Sequence, residues 1–284
     1  MVQEGNSGRV RRRPHLASGR LACSLVALAT GATAIVGLLP LSSARAAGGA
    51  KLSGQLPDLR TVVPRHLNLV NAHQRQILRF SNGIANLGSG PWQMRPVFPP
   101  DNTTLATQDA VQEILDADGN VVDSKVVSQF EFHEAHNHWH IGGVALFEVR
   151  VGSLNGPLFR DNSIKTTFCL IDWYQLEGNS PTPERSYFSC NGPTQGISPG
   201  WVDQYHQATE GQAMNLTGAP AGVLLYLVST ANHEGIFVES DLTNNTAWVS
   251  FYVRRDSNGN PRIEIVGNSP CESPGLCGDQ APNR

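Results

Sequence analysis

The sequence predicts a mainly β protein, built as a single β-sandwich domain with long decorated loops. Runs rich in β-branched and aromatic residues recur along the chain, separated by Gly, Pro, Asn and Asp. One pair of these runs flanks an Asp-Gly-Asn turn that is typical of a β-hairpin. No window competes with them through the 3.6-residue periodicity of an amphipathic helix. Together these observations favour two packed sheets over a helical or mixed fold.

Each predicted element rests on its own local pattern. An extended first segment covers residues 56–70, followed by a strand at 76–80 and a turn-rich loop at 82–91. The hairpin joins residues 111–115 to 121–127 through a turn at 116–120. Three further β-rich runs and two long loops follow: the runs at 144–151, 223–229 and 247–253, and the loops at 181–183 and 192–200.

The first 46 residues are predicted to be an export signal. Arg11, Arg12 and Arg13 precede an apolar run at 21–41, and the Ala-Arg-Ala sequence at 44–46 fits a cleavage site. The paired arginines leave a twin-arginine export route open, and a retained membrane anchor is the alternative to a cleaved signal. The expected organisation is therefore a signal at 1–46, one folded domain at 47–268 and a Pro/Gly-rich tail at 269–284. We expect the protein to be secreted or extracytoplasmic.

Charge narrows the class of partner. The signal contains six of the basic residues and one of the acidic residues, which leaves 15 basic and 23 acidic residues and a net charge of −8. An acidic chain argues against nucleic acid as a partner and is compatible with cationic substrates, although it also serves solubility alone. No later stretch is apolar enough to span a membrane, so we expect no stable membrane insertion after cleavage.

Cysteine and lysine are both sparse beyond the signal. Four cysteines remain there, and an even number in an exported chain predicts two disulfides. Lysine occurs only three times, at Lys51, Lys125 and Lys165, against 18 arginines. Charge alone gives no reason to place Lys165 beside the apolar residues 168–170, where arginine would serve equally well.

Four of the eight histidines beyond the signal occur within eight residues, at His133, His136, His138 and His140. In an extended strand side chains alternate, so the last three histidines would share one face and form a metal tripod. His133 is one position out of phase, and we expect it to support a ligand or face the core. Three imidazoles do not distinguish Cu(II) from Zn(II). Unlinked histidines on an exposed strand are the alternative interpretation.

The segment 132–140, Phe-His-Glu-Ala-His-Asn-His-Trp-His, resembles the copper-binding motif of lysyl oxidases, in which the last three histidines bind copper. Two more blocks match that family in order. One is Lys-Thr-Thr-Phe-Cys-Leu-Ile-Asp at 165–172, and the other runs from Thr194 through Ser-Pro-Gly to Tyr205. The resemblance covers about residues 56–253 and is that of a secreted, bacterial-type member.

The resemblance implies both a cofactor and an activity. Copper would be bound by His136, His138 and His140, while Lys165 and Tyr205 would be catalytic and cross-link into lysine tyrosylquinone. The enzyme would resemble protein-lysine 6-oxidase and use O2 to convert primary amines or peptidyl lysine to aldehydes, releasing hydrogen peroxide and ammonia. The general base is left open among three candidates, which are Asp172, Asp203 and His133.

A second metal site follows from the same resemblance. Residues 239–245 concentrate carboxylate and amide oxygens, which suit Ca2+, although a polar turn with side-chain caps is the alternative. Because this segment and residues 56–59 resemble the calcium-binding pieces of lysyl oxidases, we expect calcium to be bound by Asp58, the Leu59 carbonyl, Glu239, Asp241, Asn244 and Asn245.

The chain also departs from the animal enzymes. Ala135 stands where they have a cysteine, and most of their disulfide cysteines are missing. The resemblance keeps Cys169, for which Cys190 is the expected partner, and a Cys271–Cys277 pair has no family counterpart. Two other functions stay open: a secreted, non-catalytic copper- or zinc-binding module, and a zinc hydrolase, which the missing His-Glu-x-x-His spacing disfavours.

Overall fold

A computed structural model describes residues 54–97, 107–176, 180–273 and 275–278, apart from the side chains of Asp161 and Lys165. Within these ranges the chain forms strands and contains no helix. The strands are β1 (Leu59–Ala72), β2 (Arg75–Asn86), β3 (Trp92–Val97), β4 (Thr107–Leu115), β5 (Val121–His133), β6 (His138–Val151), β7 (Leu158–Phe168), β8 (Tyr174–Gln175), β9 (Gln195–Ile197), β10 (Trp201–Tyr205), β11 (Ala213–Asn215), β12 (Leu224–Ala231), β13 (Thr246–Arg255) and β14 (Pro261–Asn268). The predicted export signal lies outside the described residues.

The strands form two antiparallel sheets. The smaller sheet has the order β1-β2-β10-β8, with β11 also pairing with β2. The larger sheet has the order β14-β13-β12-β6-β5-β4-β3-β9, with β7 pairing with β6. Strand β6 therefore connects three neighbours, because it pairs with β5 near its start and with β7 and β12 farther along.

One hydrophobic core lies between the two sheets. Alternate residues of β2, including Phe80 and Ile84, pack with residues of β6, β12 and β13 such as Phe147 and Phe251. The rings of Phe80 and Phe147 meet edge to face, with 4.9 Å between their centroids. The prediction of a mainly β sandwich is confirmed.

Most predicted strands are present, and the differences concern pairing at long range. The hairpin at β4 and β5 is confirmed, and the Asp116 carboxylate accepts bonds from the backbone N–H groups of Asp118 and Asn120 at 2.9 Å. The predicted loop at 82–91 is wrong for residues 82–86, which extend β2 because β10 pairs with them. Strands β3, β7, β8, β9, β10, β11 and β14 were not predicted, and β7 shows no clean alternation of polar and apolar residues.

The C-terminal tail has more anchors than its disulfide. Cys271 and Cys277 are bonded as expected. In addition, the Leu276 carbonyl accepts a hydrogen bond from the Val63 amide at 2.9 Å. The Leu276 side chain is buried in a second, smaller apolar cluster with Val62, Ala85, Leu176 and Val202. Among the described residues no helix could cross a membrane.

Candidate active site and metal centre

The histidines occupy a hairpin and not a single strand. Strand β5 ends at His133, β6 begins at His138, and the chain reverses through the four residues between them. The His136 amide donates to the His133 carbonyl at 3.0 Å, and Asn137 adopts a positive φ of 54°, which asparagine tolerates better than most residues. The prediction of one extended strand is therefore wrong, because His133 and His138 face each other across the ladder.

The reversal nevertheless brings the predicted ligands together. One ligand atom from each of His136, His138 and His140 lies within 4.8 Å of the others. The Nε2 atoms of His138 and His140 are 2.9 Å apart. His133 joins the group through its ring, whose centroid lies 4.4 Å from that of His136 and 4.9 Å from that of His140. The tripod thus comes from the turn and from the first residues of β6.

The local electrostatics favour neutral imidazoles. Burial and, to a smaller extent, the charges of the neighbouring histidines together lower the pKa of His140 to about 4. Burial and the His136 charge also lower the pKa of His138. Neutral histidine is the form that binds a metal, so the cluster is prepared to act as a nitrogen donor set near neutral pH.

Two side chains outside the hairpin contact the histidines. The Thr167 hydroxyl lies 3.3 Å from Nδ1 of His140, and thus connects the cluster to the end of β7. A carboxylate oxygen of the exposed Glu210 lies 3.5 Å from Nε2 of His136. Sequence reasoning did not single out either residue, although Thr167 lies within the second of the matched blocks.

Tyr205, at the end of β10, is fixed to the residues that follow β7. Its hydroxyl donates to the Cys169 carbonyl and accepts from the Cys169 amide, both at 2.7 Å. Its ring stacks on Phe168 with 3.9 Å between the centroids. The expected Cys169–Cys190 disulfide is present. The backbone of Lys165 lies on β7 opposite Leu146, while its side chain lies outside the described part of the chain.

Buried polar side chains brace the loops around Tyr205. The Gln195 amide accepts from the Leu170 amide and donates to the carbonyls of Trp139 and Cys190. Sequence reasoning missed this role, although Gln195 stands inside the third matched block. Asp172, a candidate base, is fully buried and accepts four hydrogen bonds from Ser186, Tyr187 and Ser198. That environment suits a structural carboxylate.

The other two candidate bases lie on β10 and at the end of β5. Asp203 is buried on β10, two residues before Tyr205. His133 is half-buried, and its Nδ1 atom has no hydrogen-bond partner among the described residues. Its ring contacts with His136 and His140 are consistent with the expected supporting role.

The predicted calcium ligands come together from two distant segments. The Glu239 carboxylate accepts from the Leu59 amide at 2.8 Å, and the Asn244 amide donates to Asp58 at 2.9 Å and to Asp241 at 3.0 Å. The Asn245 amide donates to Glu239 at 2.7 Å. We call Asp58, Leu59, Glu239, Asp241, Asn244 and Asn245 the oxygen cluster.

The oxygen cluster contains acceptors that lack donors. The side-chain carbonyl oxygens of Asn244 and Asn245 are buried and have no hydrogen-bond partner among the described residues. Burial raises the pKa of Glu239, and the nearby Asp58 charge raises it further, against the hydrogen bonds that lower it. Buried, unpaired oxygens beside crowded carboxylates are the environment that a hard cation stabilises.

Comparisons with known proteins include the residues of the histidine cluster and Tyr205. The family model described as "Lysyl oxidase" matches residues 108–258, which is just over half of the chain. Human lysyl oxidase homolog 1 is 29% identical over 116 residues, covering 41% of this chain and 19% of that protein. The bovine lysyl oxidase homolog 1 matches at the same identity over 18% of its length. The alignments therefore span about a fifth of these relatives.

Proposed function

We propose, from the premise that this chain belongs to the lysyl oxidase family, that it catalyses the copper- and quinone-dependent oxidative deamination of primary amines. The overall reaction converts an amine, O2 and water to an aldehyde, ammonia and hydrogen peroxide. The substrate would be peptidyl lysine or a small amine, as for a protein-lysine 6-oxidase. The two disulfides support an extracytoplasmic location for this reaction.

The observation that carries the proposal is the path of β7 and the residues directly after it. Lys165 lies on this strand, Thr167 contacts the ligand candidate His140, and Cys169 binds the Tyr205 hydroxyl. Five consecutive positions thus connect the proposed cofactor lysine, the metal cluster and the proposed cofactor tyrosine. A purely structural role for this strand would not explain why it connects a lysine, a histidine cluster and a tyrosine.

The donor set suits copper. Three imidazoles supply nitrogen ligands, and the partial exposure of His136 and His138 leaves a side open to O2 and substrate. Copper bound there would supply the redox chemistry by which O2 oxidises the tyrosine ring. Thr167 would orient His140 through Nδ1, which leaves its Nε2 for the metal.

The protein holds Tyr205 in place for its modification. Stacking on Phe168 and two hydrogen bonds to Cys169 restrain the ring, and the Cys169–Cys190 bridge restrains Cys169. Lysine is the required partner because its free amine is a nucleophile, whereas arginine stays protonated. We therefore propose that Lys165 and Tyr205 are joined in lysine tyrosylquinone and act as the catalytic residues.

Calcium would have a structural role in the oxygen cluster. The unpaired carbonyl oxygens of Asn244 and Asn245 and the carboxylates of Asp58, Glu239 and Asp241 supply hard ligands. The Leu59 carbonyl remains a predicted ligand. By joining the start of β1 to the loop before β13, the ion would stabilise the sandwich at a distance from the chemistry.

Peptide mass spectrometry of copper-loaded, aerobically aged protein tests the proposal. We expect one cross-linked peptide that contains Lys165 and Tyr205, a phenylhydrazine-reactive chromophore and amine-dependent peroxide release. Lys165→Arg should abolish all three, and Lys125→Arg, an equivalent change on exposed β5, should abolish none. Separate, unmodified peptides in an active oxidase would refute the mechanism. The same peptides in an inactive, copper-binding protein would favour a non-catalytic copper- or zinc-binding module.

A further inference from the structure

A small cavity lies on the outer face of the smaller sheet. Val202 of β10 packs there in the second apolar cluster under Leu276. Gln204, two residues later on the same strand, shares that face. The cavity is lined by Arg65, Tyr174 and Gln204, together with Asn82, His66, Ser81 and neighbouring apolar residues. Its volume is about 10 Å3 for the centre of a water-sized sphere, which is room for one small particle.

The polar atoms around this cavity lack partners to an unusual degree. Among the described residues, no hydrogen-bond partner is present for buried Nη1 of Arg65, the Tyr174 hydroxyl or either amide atom of Gln204. Gln204 is only 6% exposed, so water outside the fold does not satisfy it. Leaving several buried polar groups unsatisfied is costly, which indicates a ligand.

The charge around the cavity is positive. No Asp or Glu lines it, and Arg65 forms no salt bridge within the described chain. Burial lowers the pKa of His66, and the Arg65 charge lowers it further. Burial raises the pKa of the Tyr174 hydroxyl, whereas the Arg65 charge opposes that rise. Nη1 of Arg65 is thus buried without a salt-bridge partner among the described residues, while the Arg65 side chain as a whole is half-buried.

We infer that Arg65, Tyr174 and Gln204 form a buried binding site for a single halide ion. Arg65, the Tyr174 hydroxyl and the Gln204 amide N–H are all donors, and a halide accepts from each of them. Rotation of the Gln204 amide by 180° exchanges its N–H and carbonyl groups, so an N–H group can face the cavity. The small volume excludes polyatomic anions such as sulfate. A halide also balances the Arg65 charge, which a water molecule would not do.

The site would restrain the strand that carries the proposed cofactor tyrosine, because Gln204 immediately precedes Tyr205 on β10. The inference does not depend on the proposed oxidase activity. It stands on the cavity, the unpaired donors and the charge, and it is tested without any catalytic measurement.

Bromide provides the direct test, because it scatters anomalously at its absorption edge and water does not. Crystals of the full chain soaked in sodium bromide should show an anomalous peak in contact with Arg65 and Tyr174. In solution, the melting temperature should rise saturably with sodium bromide, relative to sodium sulfate at equal ionic strength. Water-level density without an anomalous peak in the cavity would overturn the inference.

Variants separate a specific site from general salt effects. Gln204→Glu places a fixed negative charge beside Arg65, and should abolish both the bromide peak and the halide-dependent rise. Gln129→Glu makes the same chemical change at an exposed position of β5 and should keep both. Tyr174→Phe removes one donor without adding charge, and should weaken bromide binding even if Gln204→Glu fails to fold. An unchanged bromide response in Tyr174→Phe and Gln204→Glu would contradict the proposed site.

Discussion

The histidine cluster is formed by residues close together in sequence, whereas the oxygen cluster is formed by residues far apart in sequence. His136, His138 and His140 lie within five residues, and one hairpin brings them together. The oxygen cluster joins Leu59 to Glu239, which are 180 residues apart, and Asp58 to Asn244, which are 186 apart. A local cluster adds little to the folded state, whereas a long-range cluster closes a large loop. We therefore expect loss of the first to affect chemistry and loss of the second to affect stability.

The largest expected effect is on the local cluster. His138→Ala should lower copper affinity by at least about a hundredfold, since even residues behind the ligands contribute ten- to a hundredfold. Copper-dependent amine oxidation should be lost, whereas the melting temperature of the metal-free protein should change little. Metal analysis and calorimetry measure the two effects. His73→Asn in the β1–β2 turn is the control and should keep its copper. Full copper content in His138→Ala would show that His138 is not a ligand.

The two disulfides allow the same comparison of local and long-range contacts. Cys169 of the first disulfide is hydrogen-bonded to Tyr205, 36 residues away. The free energy of unfolding should fall by about 3 kcal/mol when Cys169 and Cys190 are replaced by serine, and by about 2 kcal/mol when Cys271 and Cys277 are replaced, because the first disulfide closes the longer loop. Only the first pair should also lower the yield of quinone, because it restrains the backbone that binds the tyrosine. Denaturant unfolding and phenylhydrazine titration test this, and equal quinone yields would show that the bridge has no part in positioning Tyr205.

Calcium removal probes the long-range cluster. At a hundredfold excess over its dissociation constant, calcium should raise the melting temperature by roughly 5 to 10 °C. EDTA should reverse this rise, and Asp241→Asn should remove it. Asp256→Asn, at a similar polar turn before β14, should leave the calcium response intact. Equal melting temperatures of the parent protein with and without calcium would show that the oxygen cluster does not bind this ion.

The smallest expected effect tests whether β7 orients a ligand of the histidine cluster. Thr167→Val keeps the shape of the side chain and removes the hydroxyl near Nδ1 of His140. We expect copper affinity to fall by about tenfold, at the low end for residues that orient ligands, with unfolding little changed. Competition with a chelator of known affinity measures this shift. Thr230→Val, on β12, is the matched control, since its hydroxyl contacts only Thr246 among the described partners.

Local sequence patterns predicted much of the fold but not the course of the chain through the histidine cluster. The hairpin at residues 111–127 was predictable because a short turn and its flanking strands lie next to each other in sequence. The histidine spacing predicted a cluster correctly but for a wrong reason. Alternation assumes one strand, whereas the chain turns between His133 and His138, and the ligands meet because His136 lies in the turn while His138 and His140 lie on the first residues of β6.

By itself the sequence determined the β class, the candidate ligands and the family resemblance, because periodicity, residue chemistry and motif order are local properties of the chain. Tertiary structure decided which remote strands pair, and therefore that residues 82–86 extend β2 and that β7 runs beside β6. It also decided that Tyr205 binds Cys169 and that Gln204 and Arg65 border one buried cavity. These contacts depend on hydrogen bonding and packing between segments far apart in sequence, which no local pattern encodes.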